Sequence, residues 1–226
     1  MKIAVIIPAY NEAPSIAKVV NAIPKEINAL VIVVNNGSTD NTVEEAEHEG
    51  AIVLNEPRKG YGWACLKGIT YAYDQHAEIL VFMDGDFSDH PNEMIQLIAP
   101  IETGKMDFVL GSRVLGERER GSLTPQQVFG NWLATRMIRI FYGVKFSDLG
   151  PFRAIHANAL KSLNMSDKTY GWTIEMQIKA AKKKLRFCEI PVSYRKRIGV
   201  SKVSGTIKGT VLAGIKIIWA VFKYRF

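Results

Sequence analysis

Through the first half of the chain, short β-branched apolar runs alternate with stretches whose apolar residues recur at helical intervals. Residues 2–7, 30–34, 52–54, 79–83 and 108–110 read as strands; 15–22, 41–49, 61–74 and 91–101 read as helices. Thr39 or Asp40, and Asp89 or His90, stand near suitable helix N-termini. This alternation predicts an α/β fold, a largely parallel sheet covered by helices on both faces. After Arg113 the pattern changes. A charged loop at 116–121, of the sort that closes over a site, precedes a long helix at 124–142. A loop at 147–153, a helix at 171–183, a strand at 185–194 and a basic stretch at 195–202 follow. At the end, Ile207, Val211, Ile215, Ile218 and Phe222 share helical spacing, with Lys208, Lys216, Lys223 and Arg225 interspersed. Trp219 and Tyr224 suit a headgroup interface, so this amphipathic helix either lies in a membrane plane or packs on the domain.

In open parallel sheets ligands gather at the carboxyl ends of the strands. The polar motifs of the first half all fall there: 8–12, 35–40, 84–86 and 111–113. The most telling is Asp84-Gly85-Asp86, two carboxylates one residue apart where an apolar strand leaves the core. Both can reach one cation, and hard oxygen ligands suit Mg²⁺ or Mn²⁺. By itself the spacing also fits a polar turn; the company on the same rim favours a site.

Composition narrows the field. With 226 residues, 47% hydrophobic and 23% charged, the chain is expected to be globular with a sizeable core. Cys65 and Cys188 are in no metal spacing and read as reduced core residues, favouring a reducing compartment. His48, His76, His90 and His156 form no zinc pattern. The net charge of +7 is uneven: residues 179–226 hold thirteen Lys and Arg against Glu189 alone. A basic tail on a mildly acidic body calls for an anionic partner. Nucleic acid is excluded as that partner by the metal and nucleotide motifs, and no G-x-G-x-x-G follows the first strand, which excludes a dinucleotide oxidoreductase. The first apolar run is too short for a signal peptide, and 211–222 is broken by Lys216 before reaching a spanning length. The expected location is cytoplasmic, peripheral to the membrane.

Pro8-Ala9-Tyr10-Asn11-Glu12, Asn35-Asn36-Gly37-Ser38-Thr39-Asp40, Asp84-Gly85-Asp86, Gly111-Ser112-Arg113 and Asp148-Leu149-Gly150-Pro151-Phe152-Arg153 form an ordered set. Together with 189–202, that set resembles family 2 glycosyltransferases, closely the dolichyl- or polyprenyl-phosphate mannose (or glucose) synthase branch. The resemblance implies a GT-A-like domain over 1–203, with a nucleotide-binding half at about 1–113 and an acceptor half at about 114–203, followed by the helix at 204–226. It implies inverting transfer of a hexose from a GDP-mannose or UDP-glucose type donor to a polyprenyl phosphate at a membrane surface, with an integral-membrane partner compatible. The rival readings are transfer to a saccharide hydroxyl and a non-catalytic nucleotide-sugar-binding scaffold.

The same resemblance distributes roles. Pro8, Tyr10, Glu12, Asn36, Asp84, Gly85 and Asp86 would line the donor pocket, Tyr10 against the base and Glu12 on ribose. Asp86 would hold the metal, with Asp84 assisting or contacting ribose, and Ser88 stands where the branch often has a Gln ligand. Lys196, Arg197 and Lys202 would meet the diphosphate. Arg113 and Arg153 would meet the acceptor phosphate, although an ion pair of Arg113 with Asp86 or Glu117 is also open. Asp148 holds the place of the family's base. A phosphate monoester is already largely dianionic at neutral pH and needs none, so Asp148 would then orient groups instead. The family's Asp-Asp-Gly-Ser is Asn35-Asn36-Gly37-Ser38 here. An Asn amide offers one acceptor and one donor face, which tilts Asn36 toward a uracil edge; a plain Asn-Gly turn is the other reading. Glu175 and Gln177, with Trp172, are expected to face a cleft.

Overall fold

Successive residues of β1 (Ile3–Ala9) enter opposite cores: Ala4 and Ile6 pack on one side, Ile3, Val5 and Ile7 on the other. The same division holds in β2 (Leu30–Asn35), where Ile32 and Val34 oppose Val33, and in β4 (Ile79–Phe82), where Leu80 and Phe82 oppose Ile79 and Val81. A strand covered on both faces is apolar at every position, which explains the continuous runs. These strands belong to a computed structural model that describes residues 1–199, 214 and 218–224. The sheet order is β3 (Ile52–Asn55), β2, β1, β4, β6 (Arg153–His156), β5 (Phe108–Ser112), β7 (Phe187–Pro191). All its neighbours pair in parallel except where β6 lies antiparallel between β4 and β5.

One face is covered by α3 (Tyr61–Asp74), α6 (Ala157–Leu163) and α7 (Trp172–Lys182), the other by α1 (Ile16–Asn21), α2 (Thr42–His48) and α4 (Met94–Glu102). The expected α/β architecture is therefore present. β6 and α6 differ from expectation, since nothing in the sequence reading placed a strand after 147–153. β6 is four residues long and opens on a charged residue, so it lacks an apolar run. Being antiparallel, it starts at the rim where its neighbours end, and so it brings 147–152 to that rim.

α5 (Pro125–Tyr142) begins with a capping box in which the Thr124 hydroxyl accepts from Gln127 N and the Gln127 side chain accepts from Thr124 N. It ends at Gly143, whose φ of 71° suits the left-handed cap. Only Ala134 and Ile138 are fully buried, so the helix touches the core by a narrow stripe. A final helix, α8, spans 218–223. It packs on α5 through the Phe141 and Phe222 rings, 5.2 Å apart, and a Tyr142 hydroxyl bond to Val221 O. The rest of 204–226, and Lys202, lie outside the described residues. Among the described residues, no helix is long and apolar enough to cross a membrane.

Candidate active site

β1, β2, β3, β4, β5 and β7 all end on one rim, and the segments leaving β1, β2, β3, β4 and β7 build most of a cavity of ≈ 320 Å³. Pro8, Tyr10, Glu12, Asn36, Asp84, Gly85, Asp86 and Arg197 line it, joined by Lys59, Tyr61 and Tyr170. Most residues assigned to the donor thus meet in one place. Lys59, from the loop before α3, was missed by the sequence reading; its Nζ lies 3.4 Å from the Tyr10 hydroxyl.

Asn36 sits in this cavity, but its amide is already engaged. Nδ2 donates to Glu56 O at 2.9 Å and Arg58 O at 2.8 Å, and Oδ1 accepts from Gly60 N at 2.8 Å. Both donor hydrogens are used to pin the 56–60 loop, which removes the argument from the amide to a uracil edge. The neighbouring Asn35 likewise bonds Asn55 and Ser38. Restoring the family's carboxylate at this point would set it against two carbonyl oxygens. Asn36→Asp is expected to lower stability by about 2 kcal/mol, a fall of roughly 4–8 °C in Tm, measurable by thermal denaturation.

The Asp84–Asp86 turn is held from several sides. Asp86 Oδ1 accepts from Ser88 N at 2.9 Å and from the Ser88 hydroxyl at 2.5 Å, so Ser88 orients Asp86. Phe87 adopts φ 62°, a left-handed geometry that costs about 1–2 kcal/mol for a non-glycine residue. The Arg195 guanidinium lies 3.5 Å over its ring and secures it. Asp89, also missed, is buried; its Oδ2 accepts from Asp84 N at 3.4 Å and its Oδ1 has no partner among the described residues. Burial and then the Asp86 charge push the Asp84 carboxyl up to about 7, and burial with both neighbours' charges pushes Asp89 well up. Three carboxyl groups crowd this turn against the Arg197 charge, and their hard oxygen donors fit Mg²⁺ or Mn²⁺. Among the described residues no three Cys, His, Asp or Glu side chains gather as a full ligand set, so such an ion would complete its shell with phosphate oxygens and water.

Beyond Asp84, Asp86 and Arg197 the site opens into a second cavity of ≈ 1020 Å³, bounded by α5 and Ile218 of α8. Arg113 and Lys196 also line it. Lys196 pairs with Glu119 at 3.5 Å and is largely exposed. Arg113 meets neither Asp86 nor Glu117. It grips Asp148: its Nε and main-chain N donate to Oδ2 and its Nη2 to Oδ1, each at 2.8 Å. Leu149 N adds a fourth bond to the same carboxylate. Burial opposes ionisation of Asp148, yet the Arg113 charge and these bonds hold its carboxyl below the usual range.

Two expectations are corrected here. Arg153 does not face an acceptor: it is fully buried and donates to the carbonyls of Leu149, Gly150 and Thr173. Burial lowers its pKa to about 10. Glu175, Gln177 and Trp172 do not face a cleft either; all are buried. Gln177 Nε2 donates to Asp148 O at 2.8 Å, and Glu175 holds the main chain of Ser166 and Asp167. Glu189 accepts from Ser147 N and Asp148 N, and Asn131 accepts from Leu149 N. The 147–150 segment is thereby fixed by side chains from five different elements or loops.

A family model for glycosyl transferase family 2 matches residues 4–163. The chain belongs to that family. An uncharacterized glycosyltransferase of Mycobacterium tuberculosis is 34% identical over 93% of this chain and 94% of that protein. The undecaprenyl-phosphate mannosyltransferase of Micrococcus luteus is 28% identical, over 95% and 93% respectively. The UDP-N-acetylglucosamine–dolichyl-phosphate N-acetylglucosaminyltransferase of Methanococcus voltae is 32% identical over 84% of each chain. These relatives are consistent with the polyprenyl-phosphate branch of the family. Among solved structures, the glucosyl-3-phosphoglycerate synthase of M. tuberculosis, in complex with Mn²⁺, UDP and phosphoglyceric acid, superimposes with a TM-score of 0.79 at 21% identity. It covers 99% of this chain and 78% of its own, and at this identity it establishes the GT-A-like fold alone.

Proposed function

We propose that this family 2 glycosyltransferase moves a hexose from a nucleoside diphosphate sugar to a polyprenyl phosphate, with inversion. The observation that carries this reading is the second cavity: it shares the Asp84, Asp86 and Arg197 wall with the donor cavity and continues between Phe129, Leu133 and Ile218. A phosphate on an apolar chain fits the charged groups at one end and Phe129, Leu133, Leu149 and Ile218 beyond them; Ser122, Thr124, Gln126, Gln127 and Asn131 share that lining, so a saccharide acceptor is the competing occupant.

In this reading the nucleotide lies against Tyr10 with its ribose at Glu12, and the diphosphate faces Asp86, Arg197 and Lys196. A divalent cation held by Asp86 and Asp84 would neutralise charge on the departing diphosphate. An acceptor phosphate oxygen forms a bond to the anomeric carbon as the bond from that carbon to the diphosphate breaks on the opposite face. No proton is transferred. Arg113 lines the second cavity with its Nε and Nη2 taken by Asp148, so Nη1 is the group that would meet the acceptor phosphate. Asp148 therefore orients Arg113 and abstracts nothing.

The exterior supports delivery of a lipid. α5 exposes Val128 (46%), Phe129 (61%), Trp132 (57%) and Ile140 (67%), with Arg136 and Arg139 also exposed, and α8 adds Trp219 and Phe222. Apolar side chains mixed with cations suit an anionic bilayer surface. Phe129→Ser with Trp132→Ser is expected to weaken sedimentation with anionic vesicles by about tenfold or more while nucleotide binding stays unchanged.

The direct test of donor and product is a panel of radiolabelled GDP- and UDP-sugars with polyprenyl phosphate and Mn²⁺ or Mg²⁺, followed by organic extraction. Label in the lipid phase from one donor is expected; none from any donor would refute the reading.

A further inference from the structure

Arg197 stands between two carboxylates of the donor cavity. Its Nη2 lies 3.0 Å from Glu12 Oε1 and its Nη1 3.2 Å from Asp86 Oδ2. Its Nε is buried without a hydrogen-bond partner among the described residues, so this seat satisfies the charge but not every donor. The main chain carrying Arg197 is fastened alongside the metal-turn residues. Ile198 N donates to Asp86 O at 2.9 Å and Arg195 N to Ser88 O at 3.0 Å. The Arg195 guanidinium bonds Phe87 O and Asp89 O. With the main chain held on both sides, Arg197 leaves the carboxylates by turning its side chain.

A guanidinium and a divalent ion compete for the same carboxylate. An ion entering alone must displace Arg197 from Asp86 and then sit beside its positive charge. A nucleoside diphosphate changes both conditions. Its phosphate oxygens offer the guanidinium a partner of matching geometry, and they complete the ion's shell.

Building on the donor reading above, we propose that Arg197 is a resident counter-ion that keeps Asp86 from a divalent cation until a nucleoside diphosphate arrives. Metal binding then depends on donor binding, and the dependence is reciprocal.

The test is Mn²⁺ binding to the full chain, read from the EPR signal of free Mn²⁺ with and without UDP or GDP. Wild type is expected to bind Mn²⁺ more tightly with nucleotide, by on the order of 10- to 100-fold. Arg197→Ala is expected to bind Mn²⁺ more tightly than wild type in the absence of nucleotide and to lose most of that enhancement. Arg197→Lys, a point charge that cannot bridge Glu12 and Asp86, is expected to fall between them. It carries the test if the alanine variant does not fold. An enhancement that survives both substitutions unchanged would overturn the inference and leave the donor reading standing. A wild-type affinity for Mn²⁺ that ignores both nucleotides would overturn the donor reading, and the inference with it.

Discussion

Asp86→Asn is expected to lower turnover by about 100- to 1000-fold with little change in Tm. The asparagine oxygen can still accept from Ser88, so the turn keeps its shape. The other oxygen, which faces Arg197 Nη1 at 3.2 Å, becomes an amide that only donates. Two donors then confront each other where the donor diphosphate's cation should sit. The substitution removes both the negative charge that would hold the proposed cation and the seat of Arg197. Steady-state rates across a Mn²⁺ titration check this: the variant should need far more metal and still fail to reach the wild-type rate. A variant with a normal rate at the usual metal concentration would remove Asp86 from the metal site.

Asp148→Asn is expected to act by a different route, and first on stability. The Asp148 carboxylate takes four hydrogen bonds and compensates the buried Arg113 charge. Neutralising one partner of such a pair costs about 3–5 kcal/mol, roughly 6–20 °C in Tm for a chain of this size. The sign of the pH effect follows from the depressed carboxyl. Stability from Asp148 is complete above its unfolded pKa, near the ordinary aspartate value of 3.8, and is lost as pH falls through the lower folded pKa. A carboxylate held this firmly ionised is a poor base at neutral pH. Between pH 5 and 8 the rate profile should show no limb that Asp148→Asn removes, and below its Tm the variant should lose less turnover than Asp86→Asn. Equal losses in the two variants would return Asp148 to the role of base and favour a hydroxyl acceptor.

The contrast between these two aspartates marks where sequence reading stops. The strand runs ending in 8–12, 35–40 and 84–86 were legible because a parallel sheet puts every such end on one rim. The arrangement of the donor cavity followed from that topology. Pairings across the chain were not legible. Asp148 meets Arg113 from 35 positions away, and Asn36 meets a loop 20 to 22 residues on, so neither partner is implied by local spacing. The family resemblance placed Arg153 at the acceptor phosphate, and nothing local in the sequence marks it as buried. Its burial is tolerated because β6 brings it to three carbonyls. The long helix at 124–142 has apolar residues around most of its circumference, and nothing in that pattern tells which of them reach the core. Packing shows that Phe129, Trp132 and Ile140 stay outside, which extends the proposed membrane-facing surface from the chain terminus alone to α5 and α8 together.

The central claim is that the nucleophile is a phosphate on a lipid. The most direct measurement offers the protein one labelled nucleotide sugar with equal concentrations of polyprenyl phosphate and polyprenol in detergent, then separates the products by thin-layer chromatography. Label is expected on the phosphate alone, with a glycosyl-phosphate bond that mild acid cleaves. Label on polyprenol, or transfer only to a soluble saccharide hydroxyl added as a third acceptor, would contradict it.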